Sequence, residues 1–174
     1  MNLVLIGYRG TGKSAIGREL GGVLGRPVVS IDAEIVREAG QSIADIVAGS
    51  GWGCFRDLEE RACRRLGACD GLIIDCGGGV VEREANMDSL RKGSHVFWLR
   101  ATPATIVARI RGDGSRPSLT GGKSFTEEVA EVLARREPLY RRLAHECIDT
   151  DDRRPAELAR IIGDRFCVIA AHRP

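Results

Sequence analysis

"LVLIGYRGTGKSAIG" (residues 3–17) runs four apolar residues into a glycine-rich stretch that ends on Lys13 and Ser14. Leu3 to Ile6 read as a short buried strand. Gly7-Tyr8-Arg9-Gly10-Thr11-Gly12-Lys13-Ser14 fits G-x-x-x-x-G-K-[ST] in the required context, after a strand and before a helix. Glycines let backbone N–H groups curl around a phosphate, and the new helix aims its positive end at the same point. Lys13 is expected to neutralise the outer phosphates and Ser14 to ligate magnesium. The loop as a whole, with Gly7, Arg9, Gly10, Thr11, Gly12 and Ala15, is a candidate nucleotide cradle.

The rest of the chain alternates in the same way. "PVVSI" (27–31), "GLIID" (71–75), "HVFWL" (95–99) and "HECID" (145–149) read as further buried strands. Between them, Ile16, Leu20, Val23 and Leu24 share a helix face, as do Leu58, Ala62 and Leu66. Thr102 and Pro103 have the order of an N-cap and first helical position, ahead of Ile106, Val107 and Ile110. Ser124-x-x-Glu127 resembles a capping box before Val129, Val132 and Leu133. A last helix should start near Pro155 and bury Leu158, Ile161, Ile162 and Phe166. Strands alternating with helices predict an α/β fold with a parallel sheet covered on both faces, and ligands at the carboxyl ends of its strands.

Composition excludes several classes. The 174 residues favour one domain, 1–174, and 43 % apolar against 29 % charged residues describe a globular chain. Net charge is +2, and no basic block of a nucleic-acid binder appears. Twenty-three of the basic residues are arginine against three lysines, which suits bidentate gripping of carboxylate and phosphate. The six cysteines form no C-x-x-C pair, which argues against zinc. No signal peptide or membrane-length apolar run is visible, so a cytoplasmic chain with reduced thiols and no membrane partner is expected. A GTPase or motor ATPase would need switch loops or an N-K-x-D motif, which the chain lacks. A small kinase needs only an acceptor site and a lid.

Four other loops supply candidates for that acceptor site. Asp32 lies in "SIDAEI" (30–35) after the second strand, Arg56 in "CFRDLEE" (54–60), and Gly77, Gly78 and Gly79 in "CGGGV" (76–80) after the third. Arg136 lies in "RREPLY" (135–140). A carboxylate, two arginines and a glycine wall suit a small anionic polyol, its carboxylate gripped by the arginines and a hydroxyl held by Asp32. Asp32 also reads as an N-cap of the helix "AEIVREAG". "RGDGSRPSLTGGKS" (111–124), rich in Gly and Ser between two helices, reads as a lid that would exclude water on closing.

Taken together and in order, these segments resemble the shikimate kinases over nearly the whole chain. The likeness rests on the phosphate loop, "SIDAEI", "GQSIADI" (40–46), "FRDLE" (55–59), "GGG" (77–79), "SRPSL" (115–119) and "REPLY" (136–140). The resemblance implies a three-layer P-loop kinase fold with a five-stranded parallel sheet and a substrate-binding segment at about 31–60. It implies a monomer that transfers the γ-phosphoryl group of ATP, with Mg2+, to the 3-hydroxyl of shikimate in aromatic amino-acid biosynthesis. By the same resemblance, Lys13, Asp32 and Arg116 take part in the chemistry, Arg116 arriving from the lid. Arg56 and Arg136 grip the shikimate carboxylate, Gly77, Gly78 and Gly79 wall it, and Glu59 orients Arg56. Arg109 stacks on adenine, with Arg111 close enough to substitute, and Pro155 borders that pocket.

The chain departs from the family pattern at several points. Ser30 stands where the first Asp of D-x-D is usual. Asp75, ending "GLII", either takes over the magnesium role or is satisfied by nearby backbone N–H groups. Trp52 stands where glutamate is common and Val47 where phenylalanine is frequent. The rivals are a same-fold kinase for gluconate or another polyol acid, and a non-catalytic nucleotide-binding relative.

Overall fold

In a computed structural model that describes residues 1–110 and 125–172, the strands are β1 (Asn2–Ile6), β2 (Val28–Ser30), β3 (Ile73–Asp75), β4 (Ser94–Arg100) and β5 (Glu146–Asp149). They form one parallel sheet in the order β2-β3-β1-β4-β5, with β1 at its centre. The helices are α1 (Lys13–Leu24), α2 (Ile31–Ala39), α3 (Ile43–Gly67), α4 (Glu84–Arg91), α5 (Pro103–Ile110), α6 (Phe125–Leu143) and α7 (Pro155–Ala171). A single 3-10 turn, Val80–Glu82, precedes α4.

Because side chains alternate across a strand, each central strand feeds two cores. Val4, Ile6, Ile74, Val96 and Trp98 face one layer, with Ile35, Phe55, Ala62 and Leu90 of the helices α2, α3 and α4. Leu3, Leu5, Ile73, Phe97 and Leu99 face the other, with Ile16 and Leu20 of α1 and Leu158, Ile162 and Phe166 of α7. A third cluster packs Tyr8 against Ile106 and Ile110 of α5 and Val129 and Val132 of α6. Burial on both faces explains why β1, β3 and β4 read as continuous apolar runs, whereas the edge strands β2 and β5 are less buried than expected, with Val28, Cys147 and Asp149 exposed.

Most expected elements are present, with shorter bounds in places. Strand β3 begins at Ile73 because Gly71 takes a positive φ of 76°. Ile31 joins α2 rather than β2, because the Ser30 hydroxyl accepts from the Ala33 amide and starts the helix there. The N-cap of this helix is therefore Ser30, and Asp32 sits within its first turn. Thr102 caps α5 as expected, accepting from the Thr105 amide at 3.3 Å. Val23 is 49 % exposed, since α1 meets α7 through Ile16 and Leu20 and leaves Val23 at the edge beside Gly163. Ile161 is only partly buried. The expected capping box at Ser124 and the lid at 111–124, with Arg116 and Arg111, lie outside the described residues.

Helix α3 is broken at Gly51, whose φ of 77° and ψ of 169° are non-helical. That backbone suits glycine. The break redirects the chain so that Trp52, Phe55, Arg56 and Glu59 reach the end of the sheet where β1 and β3 terminate.

Candidate functional site

Two adjoining cavities open at the carboxyl ends of β1, β2 and β3. The larger, about 840 Å³, is lined by Gly10, Gly12, Lys13, Ser14 and Ala15 of the loop, by Ser30, Arg37 and Asp75, and by Arg109. The smaller is tight, about 30 Å³, and is lined by Trp52, Phe55, Arg56, Glu59, Gly79 and Arg136. Arg9, Asp32, Ile43, Gly77 and Gly78 line both. The two spaces meet at a common wall.

The loop's shape follows from its backbone bonds. Among the described residues no side chain caps the start of α1, whose N-cap is Gly12, so the first-turn amides are left for a ligand. Lys13, 8 % exposed, donates its Nζ to the carbonyls of Gly7 and Tyr8, both at 2.9 Å. Thr11 Oγ1 donates to the Tyr8 carbonyl at 2.8 Å. Gly7 and Thr11 thus shape the loop from behind without lining the cavity. The Ser14 hydroxyl donates to Asp75 Oδ2 at 2.6 Å, and Asp75 is only 6 % exposed. Ser30 pairs with Asp75 across β2 and β3, with its hydroxyl engaged at the start of α2. Position 30 thus adds no charge, and the carboxylate beside Ser14 is that of Asp75.

At the mouth of the larger cavity, Arg109 donates to the Thr150 carbonyl at 2.7 Å, to Thr150 Oγ1 at 3.1 Å and to the Gly10 carbonyl at 3.3 Å. Three acceptors hold its guanidinium in place. Pro155 occupies the first position of α7, is exposed, and forms no part of the cavity wall.

The smaller cavity is an ionic assembly. Arg56 donates to Glu59 Oε2 at 2.6 Å and to Glu82 Oε2 at 3.0 Å. Its guanidinium lies over the rings of Phe55 and Trp52, 5.3 and 5.6 Å from their centroids. Arg136 is 3 % exposed, donates Nε to Glu82 Oε1 at 3.1 Å, and lies over the Tyr8 ring at 5.9 Å. Glu59 is fully buried. Burial pushes its carboxyl above the usual range, more than the Arg56 charge and hydrogen bond pull it down. Glu82 is also partly buried, which raises its pKa, but hydrogen bonding and charge from Arg136, with Arg56 and Arg135, outweigh this and leave it lowered.

The glycine wall is held by the same helix that carries Arg136. Tyr140, one turn on and fully buried, donates its hydroxyl to the Gly78 carbonyl and stacks on Trp98 at 5.9 Å. Positions 136 and 140 face the same way because they are four apart. At Gly79 a Cβ would stand 2.0 Å from Arg56 Nη2, and at Gly77 it would stand 2.9 Å from Asp32 Oδ1. The triplet thus gives both side chains room.

Glu82, Glu128 and Tyr140 were not singled out from the sequence. Glu128, 3 % exposed on α6, accepts from Arg9 at 2.9 Å and fixes the tip of the loop. The hint for Tyr140 was its spacing from Arg136. Glu82 and Glu128 had none, because charged residues in a turn and in a helix are ordinarily solvated.

A nucleotide loop, an adjacent smaller cavity and a basic clamp define a small-molecule kinase of the P-loop class. The family model described as Shikimate kinase matches residues 9–166. The chain belongs to the shikimate kinase family and is an ATP-dependent kinase. It is 43 % identical to the shikimate kinase of Symbiobacterium thermophilum over 155 residues, 88 % of each chain. It is 40 % identical to that of Oleidesulfovibrio alaskensis over 172 residues, 97 % of each. Its fold matches a shikimate kinase from Acinetobacter baumannii in complex with shikimate, with a TM-score of 0.91 and 29 % identity, over 99 % of this chain and 95 % of that one. A gluconokinase from Sinorhizobium meliloti, at 18 % identity and a TM-score of 0.60 over 98 % of this chain and 93 % of that one, shares the fold alone. No helix among the described residues is long and apolar enough to cross a membrane.

Proposed function

We propose that this chain transfers the γ-phosphoryl group of ATP to the 3-hydroxyl of shikimate, giving shikimate 3-phosphate and ADP. The observation that carries the reading is the shared wall of Arg9, Asp32, Gly77 and Gly78 between the two cavities. A phosphate cradled by the loop and a hydroxyl held at Asp32 would meet there, and positioning of this kind supplies much of the rate of a phosphoryl transfer.

Each side chain has a separate task in this reading. The α1 amides and Lys13 take the phosphates, Lys13 exchanging its bonds to the Gly7 and Tyr8 carbonyls for phosphate oxygens. Arg109, held by Thr150, packs against the base. Arg56 and Arg136 take the shikimate carboxylate, which fixes the ring with a hydroxyl toward Asp32. Asp32 accepts that hydroxyl's proton or orients it for in-line attack. Gly79 keeps Arg56 close to the ring. A monomer is the proposed working unit.

A divalent cation fits the donor set at the base of the larger cavity. The Ser14 hydroxyl and the nearly buried Asp75 carboxylate, 2.6 Å apart, are both hard oxygen ligands. Ser14 and Asp75 would hold magnesium there, and it would supply neutralising charge to the phosphates. Asp75 supplies the acidic group that position 30 lacks.

A coupled ADP-release assay with shikimate, with gluconate and with no acceptor tests the proposal. Release that depends on shikimate is expected. Equal release with gluconate would overturn the acceptor assignment, and ATP binding without acceptor-dependent release would identify a non-catalytic relative.

A further inference from the structure

We infer that Glu82 is a positioning residue of the acceptor site, a single carboxylate that yokes Arg56 and Arg136 so that both present their remaining N–H groups to the substrate carboxylate. Its two oxygens are divided between them. Oε2 accepts from Arg56 at 3.0 Å, and Oε1 accepts from Arg136 at 3.1 Å and from Arg135 at 2.7 Å. The two arginines line the smaller cavity and Glu82 does not, so the yoke lies behind them. It stands at the end of the 3-10 turn that begins directly after Gly79, so wall and yoke belong to one continuous segment.

The arrangement answers two physical problems. Two guanidinium groups facing one small cavity repel each other, and a carboxylate between them offsets that repulsion. Arginine side chains also have many rotamers, and holding both beforehand removes an ordering cost from substrate binding. Glu59 does part of this for Arg56 alone. Among the described residues, Glu82 accepts from both arginines at once, and these come from α3 and α6, far apart in sequence. A carboxylate placed to compete with the substrate would line the cavity, which Glu82 does not.

The inference rests on the reading that Arg56 and Arg136 hold the shikimate carboxylate, and its test separates the two. Steady-state constants for shikimate and ATP are measured in Glu82→Gln and Glu82→Ala. Affinities for shikimate and for its uncharged methyl ester are measured by calorimetry. The alanine variant is expected to raise the shikimate KM about tenfold, and the near-isosteric glutamine variant less, in keeping with loss of a charge-assisted anchor. The KM for ATP, kcat and the affinity for the ester should stay within about twofold. Arg135→Ala, at a side chain 64 % exposed, should change the shikimate KM by less than about twofold. A lowered shikimate KM in Glu82→Gln would make Glu82 a competitor and overturn the inference, as would no change in either Glu82 variant or an equal loss for the ester. Should the alanine variant not fold, the glutamine variant alone decides. Failure of Arg136→Ala to discriminate acid from ester would instead overturn the reading on which the inference depends.

Discussion

The two halves of the site are built by different means. The nucleotide side is mainly backbone, supplied by one stretch from Gly7 to Ala15 and locked by carbonyls that accept from Lys13 and Thr11. The acceptor side is mainly side chains from α2, α3, the turn after β3 and α6, joined by ion pairs. A backbone cradle stands or falls with the fold around it, whereas an ionic clamp can be loosened one member at a time. Substitutions on the nucleotide side should therefore abolish turnover or stability, and those on the acceptor side should shift one Michaelis constant.

Lys13→Ala provides the largest test. Removing the charge on the outer phosphates should lower kcat/KM by about a thousandfold or more in the ADP-release assay. Retention of activity within tenfold would break the comparison at its strong end. Arg136→Ala should raise the shikimate KM about a hundredfold while the KM for ATP moves less than about threefold, because Arg136 is buried and charge-paired in the smaller cavity. A parallel rise in both constants would mean that the two sides are not separable.

Asp75 tests the join between the halves. Asp75→Asn should raise the magnesium concentration needed for half-maximal turnover by about tenfold or more, with the shikimate KM unchanged, since Asp75 is the one carboxylate of the proposed cation site. An unaltered magnesium dependence would leave Asp75 with only the structural task of holding Ser14.

Two glycines give the most direct contrast. At Gly7, φ is 144° and a Cβ would stand 2.3 Å from the Leu99 carbonyl oxygen, a backbone atom that cannot swing away. Gly7→Ala should cost about 3 kcal/mol, lowering Tm by about 10 °C. At Gly79, φ is −96° and the obstacle is the far end of Arg56. Gly79→Ala should therefore leave Tm within about 2 °C and raise the shikimate KM about tenfold. Similar melting temperatures for the two variants would erase the distinction between cradle and clamp.

The smallest effect is on acid stability. Glu82 titrates below its ordinary 4.5, so its contribution is present above that value and is lost as pH falls through the lowered one. The Tm difference between the parent chain and Glu82→Gln, read by thermal melts from pH 7 to pH 3, should be steady down to about pH 5 and shrink below that. A gap that widens on acidification would show that the sign of the shift is wrong.

Much of this architecture is legible before folding. The apolar runs of β1 and β4 mark the buried centre of the sheet because a strand covered on both faces cannot afford polar positions. The phosphate loop is legible because its requirements are consecutive in the chain. Asp32, Arg56, the glycine triplet and Arg136 were legible as a set suited to a small anionic polyol, and family likeness named the acceptor. The Ser30 cap was not, since a serine and an aspartate two residues apart compete for one N-cap and the pairing of β2 with β3 chooses between them. Nor was the exposure of Val23, which depends on how α7 lies against α1.

Taken alone, the order of residues determined the sheet, the loop and the identity of the charges, because these follow from local periodicity and from backbone conformations that few residue types permit. Tertiary structure decided who partners whom. It set Asp75 against Ser14, Glu128 against Arg9, and one Glu82 carboxylate between two arginines 80 positions apart in the chain, at 56 and 136. Ion pairs and hydrogen bonds act over a few ångströms in space and carry no signature of the sequence distance they span.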